Sequence, residues 1–76
     1  MTKTNSKGKK FYLQARKDGM YMVWVLKENY CCGVIKKTWA YCLPNESKMS
    51  YVEKCKQFAN GLYKEEAINF FNKRTK

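Results

Sequence analysis

From Phe11 onward the chain alternates. Phe11, Leu13 and Ala15 are separated by Tyr12, Gln14 and Arg16, and a period of two predicts a strand with one buried face. Asp18-Gly19 follows, a pair suited to a tight hairpin because Gly takes positive φ without a Cβ clash. Met20 to Leu26 is then apolar throughout and rich in β-branched and aromatic side chains, which favour a pleated surface. These features predict a β-hairpin over 10–17 and 20–27. Glu28-Asn29 suits a second turn. Beyond it two arrangements fit: a short strand from Tyr30 to Ile35 with another over 38–43, or one strand from Val34 to Leu43 with 29–33 as a loop. Pro44 ends the run because it cannot donate to a ladder.

The period then changes. Ser50 and Glu53 have the spacing of a capping box, in which each side chain answers a free backbone N–H at a helix start. Tyr51, Val52, Cys55, Phe58 and Ala59 follow on one helical face. Asn60-Gly61 suits a helix stop. A second helical stretch runs from Tyr63 to about Lys73. Ala67, Phe70 and Phe71 make its stripe, and its acids lead while its bases trail, as the helix dipole favours. Strands followed by helices define an α+β class. The expected architecture is an antiparallel meander of three or four strands, then one broken helix or two short helices packed on one sheet face. Residues 1–9 read as a flexible basic tail, 10–73 as the single domain and 74–76 as a basic end.

At 76 residues the chain has room for one domain with a thin core. Its 16 basic and 6 acidic residues give +10. Of that, +7 lies at the ends, on Lys3, Lys7, Lys9, Lys10, Lys73, Arg74 and Lys76, and the stretch 11–72 carries +3. The body is mildly basic and the ends are strongly so. Such a balance points to an anionic partner: nucleic acid, an acidic protein or an anionic surface. The bland alternative is a lysine-rich chain, since all but Arg16 and Arg74 of the bases are Lys. The polar start and the lack of a long apolar run predict a soluble, cytoplasmic protein with reduced cysteines and no membrane partner. The even cysteine count keeps a disulfide pair open.

Catalysis has little to stand on. The chain has no His, the commonest general base, and no phosphate-cradling glycine motif. Cys31, Cys32, Cys42 and Cys55 offer the ligand type of a zinc site, without the paired C-x₂-C spacing. They are read here as small apolar residues with one or two exposed thiols, and no metal or cofactor is assigned. The central strand is apolar at both parities, so one face is expected under the helices and the other in part exposed. Tyr12, Trp24 and Trp39 are the candidate exposed rings. Arg16, Lys17, Lys36 and Lys37 are the candidate flanking cations, and Lys7, Lys9 and Lys10 a candidate arm. Rings that stack bases beside cations that track phosphates suit single-stranded nucleic acid. The same residue types also suit a protein interface; the bland alternative has both faces covered, one by the helices and the other by the tail or the loop at 43–49. Two arginines leave little material for bidentate guanine readout.

The order of strands before a helix, with Lys64-Glu65-Glu66-Ala67 opening the last helix, resembles the small arm-type DNA-binding domains of tyrosine recombinases. A short sheet before a helix with Val52-Glu53-Lys54 and Phe58-Ala59-Asn60-Gly61 is similar to small phage anti-CRISPR proteins. Those with this pattern are acidic nucleic-acid mimics, and the opposite charge here removes that mechanism. Neither resemblance carries individual residues across. The expected function is a non-enzymatic nucleic-acid-binding accessory or regulatory protein of a phage or mobile element, with weak sequence specificity for DNA or RNA. The alternative is a protein-directed inhibitor or adaptor that binds a host enzyme or defence nucleoprotein through its aromatic sheet face.

Overall fold

A computed structural model describes residues 1–76. Four strands, β1 (Thr2–Thr4), β2 (Lys10–Ala15), β3 (Tyr21–Cys31) and β4 (Val34–Cys42), form one antiparallel sheet in sequence order. A single 3-10 turn at Glu46–Lys48 precedes helices α1 (Tyr51–Asn60) and α2 (Lys64–Arg74). The class is α+β, as the change of period predicts.

The alternation in β2 sorts the two faces. Phe11 and Leu13 lie opposite Val25 and Val23, and Val23 lies opposite Cys42. These residues, with Leu62, Ala67 and Phe71, make the core. Helix α2 covers this face with Ala67 and Phe71, both fully buried. Burying one side chain such as Phe71 or Val23 contributes about 1.5–3 kcal/mol, so a core this small depends on each of its members.

The N-terminal residues depart from the expected tail. Thr2–Thr4 pairs with Lys10–Tyr12 as an edge strand. The Asn5 side chain accepts from the backbone N–H groups of Lys7 and Lys9, at 3.0 and 2.8 Å, and so shapes the connecting turn. A three-residue edge strand with a lysine at its centre carries almost no hydrophobic signal, and its lysine also discourages further pairing.

The second turn also moves. Glu28 and Asn29 lie inside β3, opposite Lys37 and Lys36, and the reversal falls at Cys32-Gly33. Both turn residues have positive φ, 55° and 80°, the requirement of a two-residue turn matched to strand twist. Of the two arrangements the sequence left open, the single long strand from Val34 is the nearer. Because β3 and β4 outrun β2, whose pairing begins at Phe11–Val25, the residues beyond Leu26 project as a two-stranded ribbon.

Helix α1 begins and stops where the capping signals place it. The Ser50 hydroxyl accepts from Glu53 N–H at 3.2 Å, and Gly61 caps α1 at φ 75°. Yet α1 buries none of its residues. Its Phe58 meets Trp24 and Tyr41, which lie on the sheet face opposite the core. The chain then passes Tyr21, where Leu62 exchanges two backbone hydrogen bonds of 2.7 and 2.8 Å, and enters α2 on the core side. Both helices therefore pack on the sheet, and they do so from opposite faces.

Candidate nucleic-acid interface

The face away from α2 is aromatic. The register sets Tyr12 opposite Trp24, Trp24 opposite Tyr41 and Leu26 opposite Trp39, so their side chains share one side of the sheet. Tyr12 and Trp39 meet edge-to-face over β3, 5.9 Å apart. Trp24, Tyr41 and Phe58 form a second ring cluster, with centroids 5.3 to 6.4 Å apart. Trp24 Nε1 donates to Gln14 Oε1 at 2.8 Å, which fixes the indole. A shallow depression of about 190 Å³ lies between Tyr12, Gln14, Trp24 and Trp39. Tyr12 and Trp39 are 36% and 43% exposed, enough to present ring surface, while Trp24 is half-buried. The helix side accounts for the difference, since Phe58 sits against Trp24.

The more strongly charged feature joins the chain's two ends. Asn5, Ser6, Lys7 and Lys9 of the β1–β2 turn line one depression of about 260 Å³ with Lys73, Arg74 and Lys76. Five cations meet there with no carboxylate side chain in the lining. The two ends touch through long, exposed contacts: the Ser6 N–H and hydroxyl both point at the Lys76 main-chain oxygen at 3.4 Å. Arg74 also lies over the Phe11 ring, 5.5 Å from its centroid, so its guanidinium is placed by the core. Lys9 and Lys10 continue the charge along a second depression that Lys27 also lines.

The expected site residues are thus divided. Lys7 and Lys9 belong to the basic cluster. Lys10 shares the parity of Tyr12, Trp24, Lys37 and Trp39 on the aromatic face. Lys37 is held by Glu28 at 3.6 Å. Lys36 lies on the opposite face of the ribbon, opposite Asn29. Arg16 and Lys17 sit at the far β2–β3 turn, where Arg16 pairs with Asp18 at 2.8 Å. The four cations expected to flank the rings therefore do not form one rim. Lys73, Arg74 and Lys76 were visible in the sequence as charge, but nothing local shows that they meet Lys7 and Lys9. Phe58 and Tyr41 were legible only as a helix stripe and a strand residue.

Burial pushes the Cys42 thiol and the Tyr41 hydroxyl above their ordinary ranges. All four cysteines are free, and Cys31, Cys32 and Cys55 are exposed. No three potential metal-ligating side chains gather within the chain, so Cys42 and Cys55 do not join the Cys31-Cys32 pair. No helix is long and apolar enough to cross a membrane. Comparison with protein-family models, curated proteins and solved structures finds no match to this chain.

Proposed function

We propose that this chain is a non-enzymatic nucleic-acid-binding protein of weak sequence specificity that grips phosphates with the cluster Lys7, Lys9, Lys73, Arg74 and Lys76. The observation that carries this reading is the convergence of the two basic ends on one depression lined by no acidic side chain. Five like charges held together repel one another, and an anionic partner relieves that repulsion. Lysines contact phosphates as point charges and position a nucleic acid without reading its bases. The aromatic face then supplies the second contact, with Tyr12 and Trp39 offering ring surface to unpaired bases.

The test is oligonucleotide affinity measured by fluorescence anisotropy for two variants. Replacing Lys7, Lys9, Lys73 and Arg74 together by Gln should weaken binding at least tenfold for every sequence alike. Trp39→Ala should weaken single-stranded binding more than duplex binding. Full affinity in the cluster variant overturns the reading.

A second reading, a protein-directed inhibitor or adaptor, is favoured by the ring surface of Tyr12 and Trp39 beside a fixed Trp24, since aromatic anchors dominate protein interfaces. It predicts the reverse pattern: Trp39→Ala abolishes capture of a protein partner, and the cluster variant retains it.

A further inference from the structure

At the tip of the β3–β4 ribbon two thiols stand side by side. Cys31 and Cys32 are both exposed, with Sγ atoms 3.7 Å apart. Free cysteine is usually among the most buried residue types, so two exposed neighbours at a projecting tip are unusual. Cys32 moreover occupies the first turn position at φ 55°, where Asn or Gly would sit without strain.

The spacing has a chemical meaning. Two thiolates bound to one tetrahedral zinc at about 2.3 Å each lie about 3.8 Å apart. The Cys31–Cys32 separation already matches that bite. It supplies two of four ligands, and no third ligand gathers near it within the chain. The site is half complete, and its missing half has the chemistry of the half present.

The surroundings of the tip fit the same answer. Tyr30, Val34 and Ile35, at 78%, 58% and 60% exposure, form an apolar collar at the tip, with Val34 opposite Cys31 on one face and Tyr30 opposite Ile35 on the other. The ribbon carries them clear of the sheet body. Lys36, opposite Asn29, lies just behind the tip.

We propose that a second copy of this chain completes the site: one Zn²⁺ held by Cys31 and Cys32 of each of two copies, joining the ribbons tip to tip. Four thiols give up four protons as the metal binds, and the resulting tetrathiolate carries a charge of −2. That charge is offset by the lysines of both ribbons, and the collar residues of the two tips cover one another. The basic turn lies beside the base of the ribbon, where Gly8, Lys9 and Lys10 share a depression with Lys27, Glu28 and Asn29, and not at its tip, so the two copies present two phosphate-binding surfaces.

The experiment is sedimentation of the purified reduced chain in screening salt, with zinc sulfate or with EDTA. The expected result is one zinc per two chains and a doubling of mass from 9.1 kDa, reversed by EDTA. Co²⁺ in place of zinc should give the visible bands of a tetrahedral all-thiolate site. Cys31→Ser and Cys32→Ser should each abolish metal retention and dimer while leaving the circular dichroism unchanged, and Cys55→Ser should abolish neither. A monomer with one zinc per chain, no retained zinc, or a zinc dimer that survives Cys31→Ser overturns the proposal. None of these outcomes touches the nucleic-acid reading, whose variants are elsewhere.

Discussion

The Tyr41 hydroxyl is buried and has no hydrogen-bond partner. Its ring meets Trp24 and Phe58, so packing holds the residue and the polar atom is carried in with it. A buried unpaired hydroxyl costs about 1–3 kcal/mol. Tyr41→Phe should therefore stabilise the fold by about 1 kcal/mol in urea denaturation, where removal of a satisfied hydroxyl would destabilise it. The same burial raises the hydroxyl's pKa, chiefly by desolvation, with Arg16 opposing. The folded state thus holds this proton more tightly than the unfolded chain does. Stability is fully present below the ordinary tyrosine range and falls as pH rises through it. The fall should be shallower in Tyr41→Phe, and urea midpoints measured across alkaline pH check it. At this scale the sequence was informative about strand parity, which placed Tyr12 against Phe11 and Leu13. It was silent on Tyr41, because the ring of Phe58 that packs against it arrives from a helix distant in sequence.

Gly61 is the hinge between the two helices. A Cβ there would lie 2.9 Å from both Arg16 Nη1 and Met20 Cβ, at a backbone φ of 75°. The Arg16 tip can move, but Met20 Cβ is fixed to the main chain. Gly61→Ala should cost about 1–3 kcal/mol, read as a lowered thermal midpoint. Element boundaries were largely legible where a chemical stop exists: Ser50 and Gly61 frame α1, and Asp18-Gly19 frames the first hairpin. Three features were not. Strand β1 is defined by its partner, not by its own pattern. The second reversal falls at a Cys-Gly pair, a weaker turn signal than Glu28-Asn29. The stripe of α1 reads as core-facing, yet Tyr51 and Val52 are 81% and 60% exposed, because the chain crosses the sheet beside Tyr21 only after α1 has ended.

Across the whole molecule, the surplus charge at the two ends could be read from the sequence, but not its convergence. Lys7 and Lys73 are far apart along the chain, and they meet because β1 pairs with β2 while α2 runs back along the core face to the same corner. Crowding cations there should cost some stability. Lys7→Gln or Lys73→Gln should raise the unfolding free energy measured in urea slightly, by about 0.5 kcal/mol or less, while lowering oligonucleotide affinity. Opposite signs for stability and binding mark a charge kept for a partner.

The most direct test of this account is the salt dependence of binding to a mixed-sequence duplex. Each phosphate neutralised contributes about −0.9 to the slope of log K against log salt. Engagement of all five cluster cations predicts a slope of about −4 to −5 for the native chain, made shallower by roughly 3 to 4 when Lys7, Lys9, Lys73 and Arg74 are Gln. An affinity that ignores salt, an equal slope in the two proteins, or no binding at all would contradict it.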